Sequence, residues 1–315
     1  MNELKVPVID LSLDEKTVGE LIYQACTTVG FFYISNHGLP ESFKNDYFSK
    51  MEKLFALPLE EKMKVLQDEN NKGYTPFEEE TLDGPNQSKG DTKEGFYFSR
   101  EIAADSEEAK LPLHGPNQWP DESVLPGFRK ATEEYQAAMT DLGNRLLGFF
   151  DLALGLPKGF FLKKFERPMA FLRLLKYSSE VSDPTKGIFA AGAHSDYGML
   201  TILANDDVPG LQINIKGTWT DVQPIPGTFI INIGDMLERW TNGKFMSTVH
   251  RVLNLEGRVR YSAPFFYDPN FETLVEVIPS CCDGKKPAYP PIMSGQHLLD
   301  KYASTHEGYA GPITA

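Results

Sequence analysis

The second half of the chain contains a series of short strand-like segments separated by turns, and this series restricts the fold more than any other feature. Leu211–Ile215 alternates apolar and polar residues, as a strand with one buried face does. Glycine, proline and an Asn-Gly pair separate the segments. Many short strands at such spacing favour a β-sandwich or a jelly roll. The predicted strands of this half are Phe171–Tyr177, Leu200–Ala204, Leu211–Ile215, Thr228–Ile233, Thr248–Leu253 and Arg260–Tyr267.

The first half of the chain is dominated by helical periodicity. Ser12 and Glu15 have the spacing of a capping box at the start of the first helix. Residues 69–93 are polar and rich in turn formers, which predicts a long loop of the kind that covers binding sites. We expect an α+β chain, with a helical and mixed region over residues 1–120. A jelly-roll domain over 121–315 then includes a long helix before the strands and a C-terminal helix. The other predicted elements are strands Val6–Leu11, Gly30–Ile34 and Gly95–Ser99, and helices Pro40–Phe55, Leu59–Leu66, Phe128–Leu154 and Ser294–His306.

Charge and composition exclude several classes of partner. The chain has 315 residues, a formal net charge of −13 and a pI near 5.0. Because binding to phosphates needs clustered Lys and Arg, neither nucleic acid nor an anionic membrane is expected as a partner. The sequence shows no signal peptide and no long apolar run, and it contains an odd, low number of cysteines. We therefore expect a cytoplasmic protein, working as a monomer on a small molecule.

A metal site is indicated by His194-Ser195-Asp196 together with His250. On an extended chain, residues i and i+2 point to the same side, so His194 and Asp196 could reach one ion. Two histidines and one carboxylate are the ligand set of non-haem Fe(II) oxygenases. Each part is weak by itself, since an HxD triplet often arises by chance, and His250 taken alone is more often a hydrogen-bonded core histidine than a metal ligand.

Arg260 and Ser262 strengthen this interpretation. They lie on one face of a predicted strand and are followed by apolar residues. An arginine fork matches a carboxylate with two parallel hydrogen bonds, and a buried arginine without an anion would be costly. The pair could hold the far carboxylate of a dicarboxylic cosubstrate, although a surface salt bridge is the alternative.

The combined pattern resembles the 2-oxoglutarate- and Fe(II)-dependent dioxygenases, in particular the isopenicillin N synthase-like branch that contains many plant enzymes. The resemblance covers nearly the whole chain. Its N-terminal motifs are VPVIDLS, GFFYISNHGLP and LFALPLEEK, and its C-terminal motifs are GAHSDYGMLTILANDDVPGLQI, GTWTDVQPIPGTFIINIGDMLERWTNG, STVHRVLN and RYSAPFFYDPN. It implies a double-stranded β-helix (jelly roll) that uses Fe(II), 2-oxoglutarate and O2, with ascorbate supporting activity.

The resemblance also implies roles for individual residues. His194, Asp196 and His250 take the metal positions, Arg260 and Ser262 bind the far carboxylate of 2-oxoglutarate, and Tyr177 lies beside it. This chain departs from the family pattern at Leu175, where many plant members have asparagine. Four further residues are expected to contact the substrate or cosubstrate, namely Arg173, Phe266, Phe96 and Tyr74. Of these, Arg173 could equally be an outward-facing strand residue, and aromatic strand residues such as Phe266 and Phe96 more often belong to the core.

We therefore predict an oxygenase that hydroxylates or otherwise oxidises a small organic molecule, with succinate and CO2 as co-products. The plant-type motifs favour a specialised metabolite or hormone as substrate. No Ser-His-Asp or Cys-His arrangement is evident, so no catalytic side chain beyond the metal site is predicted. Two alternatives remain: an ethylene-forming or desaturating member of the same family, and a catalytically silent jelly-roll protein that only binds small molecules.

Overall fold

The computed structural model describes residues 5–305, without the side chains of residues 304 and 305. The predicted helix end at His306 lies outside the described residues. The α-helices are α1 Glu15–Thr28, α2 Glu41–Phe55, α3 Leu59–Met63, α4 Phe128–Ala153, α5 Asp235–Trp240 and α6 Ser294–Thr305. The strands are β1 Val8–Asp10, β2 Phe31–Ser35, β3 Gly73–Thr75, β4 Lys93–Ser99, β5 Met169–Tyr177, β6 Ala191–His194, β7 Leu200–Asn205, β8 Leu211–Ile215, β9 Thr218–Asp221, β10 Phe229–Ile233, β11 His250–Val252, β12 Arg260–Asp268, β13 Leu274–Val275 and β14 Ile292–Met293.

Two sheets form the core of the molecule. The larger sheet has eight strands in the order β1-β2-β10-β7-β12-β5-β4-β3, and the smaller has four in the order β6-β11-β8-β9. One apolar cluster contains buried side chains from both sheets, such as Phe31 and Leu175 of the larger and Ile213 and Val252 of the smaller. The two sheets therefore enclose a common interior, as the predicted sandwich or jelly roll requires.

The other face of the larger sheet is covered by helices. The long helix α4 packs against both α1 and strand β12. At the crossing with β12, a Cβ atom added to Gly143 would come within 2.6 Å of the Tyr267 ring. Because Gly143 has no side chain, α4 can approach the sheet closely. Gly143 therefore sets the distance between α4 and β12.

Strands from the first 120 residues lie at both edges of the larger sheet. At one edge, β2 pairs with β10 and β1 pairs with β2, while at the other β4 pairs with β5 and β3 with β4. The sheet is thus completed by both halves of the chain. The division at residue 120 remains a prediction.

Most predicted elements form close to their expected ends, but the predicted capping box is wrong. The helix α1 begins at Glu15, and its N-cap is Asp14, whose carboxylate accepts a 3.0 Å hydrogen bond from the backbone N–H of Thr17. Ser12 instead donates to Asp10 in the preceding turn. An aspartate is as good a cap as a serine, so the motif alone could not place the helix start.

Within residues 5–305, no helix combines the length and the apolar character needed to cross a membrane.

Candidate metal centre and active site

The smaller sheet brings the two predicted histidine ligands together. His194 ends β6 and His250 begins β11, and the two residues are direct partners in this antiparallel pair. Asp196 follows two residues after His194. The Nε2 atoms of His194 and His250 lie 3.9 and 3.7 Å from Oδ1 of Asp196. Ligand atoms of the three residues all lie within 4.8 Å of one another, so one ion can be reached by all three.

Each of these side chains is held by a neighbour that leaves one ligand atom free. Nδ1 of His194 contacts the carbonyl oxygen of Gly192 at 2.8 Å, and Nδ1 of His250 contacts that of Thr248 at 3.1 Å. A carbonyl only accepts, so each Nδ1 carries the proton and each Nε2 presents a lone pair.

The carboxylate of Asp196 is oriented in the same way. Its Oδ2 accepts hydrogen bonds from the Thr201 hydroxyl at 2.5 Å and from the Asn232 amide at 2.6 Å. Oδ1 is therefore the oxygen that faces the histidines. Such supporting contacts fix the direction of metal ligands and commonly change metal affinity by about 10- to 100-fold when removed. The sequence analysis did not identify Thr201 or Asn232, because neither belongs to the ligand motif.

The electrostatics of the cluster suit a metal cation. Burial, together with the neighbouring His250, lowers the pKa of His194 to about 4, so its imidazole is neutral near pH 7. Burial alone would raise the pKa of Asp196, but the two histidines and the hydrogen bonds to Oδ2 outweigh it and lower that pKa. Two imidazoles and one carboxylate form the donor set typical of non-haem Fe(II), so the residues present fit the predicted iron.

A buried arginine lies in the cavity next to this cluster. Arg260 is 2% exposed, and its Nε donates to the carbonyl of Val208 at 3.2 Å. Its Nη1 is buried and has no hydrogen-bond partner within the described part of the chain. Ser262 lies two residues on, and its hydroxyl is 3.4 Å from that of Tyr177, whose ring packs under the guanidinium. A buried guanidinium nitrogen without a partner, beside two hydroxyls, has the donors that a carboxylate requires.

The same cavity connects this anion site to the metal centre. His194, Asp196, His250, Arg260 and Ser262 all line it. A dicarboxylate in this cavity can therefore contact the metal centre with one end and Arg260 with the other.

A second cavity also borders the metal centre. Arg173 and Phe266 line both cavities, as predicted residues of the active site would. Arg173 is 7% exposed and is not outward-facing. Its guanidinium makes two hydrogen bonds to Glu80, of 3.2 and 2.8 Å, and stacks on the ring of Tyr97. Glu80 belongs to the long loop that the sequence predicted, and it was not identified as a site residue.

Phe96 and Tyr74 lie elsewhere. Phe96 is fully buried among Phe55, Tyr74 and Phe98, and Tyr74 donates a 2.7 Å hydrogen bond to Glu94. Neither residue lines the two cavities next to the metal centre. The neighbour of Phe96, Tyr97, faces the cavity instead, because successive residues of a strand point to opposite faces. Their positions do not support the predicted substrate contacts of Phe96 and Tyr74.

Comparison with known proteins identifies the family. The family described as 2OG-Fe(II) oxygenase superfamily matches residues 170–269, and the one described as non-haem dioxygenase in morphine synthesis N-terminal matches residues 6–122. The chain belongs to the 2OG-Fe(II) oxygenases. Among curated relatives, the 2-oxoglutarate-Fe(II) type oxidoreductase hxnY of Emericella nidulans is 35% identical, with 95% of this chain and 90% of that protein covered. The 1-aminocyclopropane-1-carboxylate oxidase of Dictyostelium mucoroides is 34% identical, with 88% and 85% covered.

Solved structures extend this likeness to the fold. A full-length Neurospora crassa protein in complex with alpha-KG superposes with a TM-score of 0.86 at 29% identity, covering 96% of this oxygenase and 97% of that chain. The same Neurospora crassa protein has been solved with alpha-KG and thymine. The predicted jelly-roll fold, the enzyme class and the use of Fe(II) and 2-oxoglutarate are thereby confirmed. The alternative of a silent binding protein has no support from these findings.

Proposed function

We propose that the oxygenase hydroxylates a small organic molecule held in the cavity lined by Arg173 and Phe266. In this proposal His194, Asp196 and His250 hold Fe(II). Arg260 and Ser262, with Tyr177 beside them, hold the far carboxylate of 2-oxoglutarate. The observation that carries the proposal is the buried Nη1 of Arg260, which has no partner among the described residues and lies in a cavity that also contains the metal-binding side chains.

When bound, Fe(II) with 2-oxoglutarate and O2 supplies the oxidising power for attack on a C–H bond, with succinate and CO2 as co-products. The protein positions the reactants and limits access of water. Arg260 and Ser262 orient the cosubstrate through hydrogen bonds that are stronger in a buried site than in water. Leu211 and Val252 contribute apolar walls to the cosubstrate cavity, which reduces competing hydration of the bound anion.

The lining of the second cavity supports a proposal for the class of prime substrate. Its walls combine aromatic residues, such as Tyr97 and Phe266, with charged groups, such as Arg173 and Glu80. This mixture suits a small molecule with both a flat apolar part and polar edges. The Neurospora crassa structure with thymine supports a ligand of that size. A specialised metabolite or hormone remains the predicted origin of the substrate.

The remaining aspects of the proposal concern partners and location. We propose that the oxygenase binds neither nucleic acid nor membranes, on the basis of the net charge of −13. A cytoplasmic location and a monomeric state are proposed with it. Ascorbate is proposed as a supporting reductant. The similarity to 1-aminocyclopropane-1-carboxylate oxidase favours ethylene formation as the second candidate reaction. Product analysis by mass spectrometry separates an added oxygen atom from desaturation or ethylene release.

The central test is O2-dependent formation of succinate from 2-oxoglutarate by the iron-loaded protein. We expect His194→Ala to lose both this activity and metal binding, whereas His37→Ala should retain them. His37 is a suitable control because it contacts the backbone carbonyl of Gly227 outside the metal centre. Equal succinate formation by His194→Ala and the unmodified protein would refute the assignment of the metal ligands.

A further inference from the structure

Among the described residues, the charged groups around the second cavity are paired, with one exception. Glu80 neutralises Arg173, and its Oε2 also lies 2.8 Å from Nζ of Lys93. Lys93 in turn contacts Asp91. These two cations and two anions balance one another. Apart from the metal-binding Asp196, the carboxylate of this cavity that has no cationic partner among the described residues is that of Asp268.

Asp268 is held at the end of β12 with its carboxylate against a turn. The side chain is 3% exposed, and Oδ1 accepts a hydrogen bond from the backbone N–H of Met199. A Cβ atom added to Gly198 would overlap with both carboxylate oxygens, so the carboxylate lies directly over that glycine. Among residues 5–305, the Met199 N–H is its hydrogen-bond donor and no cation forms an ion pair with it.

A buried carboxylate with one backbone hydrogen bond is poorly stabilised. Burial raises the pKa of Asp268 to about 7, and the nearby negative charge of Asp196 contributes to this. Buried charges in proteins are normally paired or fully hydrogen-bonded. No hydrogen bond from a residue of the described range 5–305 reaches Oδ2 of Asp268. Because Asp268 lines the second cavity, a ligand of that cavity can supply the missing donor.

We propose that Asp268 is a substrate-binding residue and that the prime substrate presents a nitrogen-bound hydrogen to its carboxylate. This inference rests on the proposed function, since it concerns the same cavity. It selects against anionic substrates, because Arg173 is already neutralised by Glu80 and the ionised form of Asp268 adds a negative charge to the wall. A cationic nitrogen and a neutral N–H group can both donate a hydrogen bond to this carboxylate. The experiment below compares one ligand of each kind.

The competing explanation is that Asp268 only fixes the backbone at Gly198 and Met199. Asparagine can make the same contact, since its carbonyl oxygen can accept from the Met199 N–H. Asp268→Asn therefore keeps the structural hydrogen bond and replaces the free acceptor oxygen with an amide donor. A purely structural role predicts no change in ligand preference.

The test uses three ligands of equal size: benzamidine, benzamide and benzoate. Their dissociation constants are measured by saturation-transfer NMR on the full chain with diamagnetic Zn(II) and 2-oxoglutarate, without O2. We expect the unmodified protein to bind benzamidine or benzamide more tightly than benzoate. Tighter binding of benzamidine would identify a cationic donor, and tighter binding of benzamide a neutral one. In Asp268→Asn, affinity for the preferred donor should fall about tenfold or more and affinity for benzoate should rise.

Asp300→Asn is the matched control, since Asp300 is an exposed residue of α6, and it should leave all three affinities unchanged. The same order of affinities in Asp268→Asn and the unmodified protein would overturn the proposal. So would a preference of the unmodified protein for benzoate, or no binding of any of the three at millimolar concentration. The order in the unmodified protein remains decisive if Asp268→Asn does not fold. Because no turnover is measured, failure here is separate from failure of succinate formation.

Discussion

At the scale of single residues, function depends on which atom of each side chain is left free. The carbonyl oxygens of Gly192 and Thr248 accept hydrogen bonds from Nδ1 of His194 and His250, respectively, so both Nε2 atoms face Asp196. Arg260 shows a related situation, since its Nε is bound to a carbonyl while its Nη1 has no partner among the described residues. In each case a local contact satisfies one polar atom and reserves the other for a ligand.

Replacement of Arg260 tests the proposed anion site. Loss of a hydrogen bond to a charged group costs about 1.5–3 kcal/mol, which corresponds to a rise of roughly 10- to 150-fold in the KM for 2-oxoglutarate. We expect a rise of this order in Arg260→Ala, and a smaller one in Arg260→Lys, which keeps the charge without the planar fork. The measurement is succinate formation as a function of 2-oxoglutarate at fixed Fe(II).

Arg258→Ala is the control, because Arg258 pairs with Glu256 and Asp207 on the surface. Its KM for 2-oxoglutarate should stay close to that of the unmodified protein. The anion site is wrongly assigned if Arg260→Ala and Arg258→Ala have the same KM.

At the scale of elements, the site depends on pairs of strands that are distant in sequence. The pairing of β6 with β11 brings His194 opposite His250, and the pairing of β5 with β12 brings Tyr177 opposite Arg260. The helix α4 supports β12 from the other side, where Gly143 lies against Tyr267. The position of β12 therefore affects both the proposed cosubstrate site at one end of the strand and Asp268 at the other.

The packing of α4 on β12 can be tested with two glycines of the same helix. Gly143→Ala should lower the free energy of unfolding by about 1–3 kcal/mol, because the added methyl group overlaps with the Tyr267 ring. Gly148 has no atom within 4 Å of an added Cβ. Gly148→Ala should therefore raise stability by about 0.5–1 kcal/mol through helix propensity. Urea unfolding measures both, and equal effects of the same sign would contradict the close packing.

At the scale of the whole molecule, strands from both halves of the chain share one sheet. Strands β1 to β4 lie at its two edges. Strands β5 and β12, which carry Tyr177, Arg260 and Ser262, lie in the interior of the sheet. Removal of the edge strands would expose the backbone and the apolar faces of β5 and β10 to water. The two regions matched by the family models are thus expected to depend on each other for stability.

This dependence predicts a single cooperative unfolding transition. Tryptophan fluorescence and far-UV circular dichroism should give the same urea midpoint, because Trp119, Trp219 and Trp240 lie in different parts of one structure. Two separated midpoints would show that the regions on either side of residue 120 unfold independently. The metal-free protein is the appropriate sample, since a bound ion would stabilise one region selectively.

The sequence by itself determined the chemistry and much of the element order. Alternation of apolar and polar residues predicted strands of the second half, and residue types at fixed spacing predicted His194, Asp196 and His250 together with Arg260 and Ser262. These signals are local, because a strand's period and a motif's spacing do not depend on the rest of the fold. The strand β6, which carries His194, escaped prediction since its small residues show no alternation.

Only the tertiary structure decided which other residues line the cavity beside the metal centre. It paired Glu80 with Arg173, turned Tyr97 rather than Phe96 toward the cavity, and gave the carboxylate of Asp268 a backbone hydrogen bond beside that cavity. The path of the loop that carries Glu80 has no periodic signal, and a shift of one residue in a strand exchanges its two faces. Contacts between distant segments follow from packing, so the lining of the cavity beside the metal centre could not be derived from motifs alone.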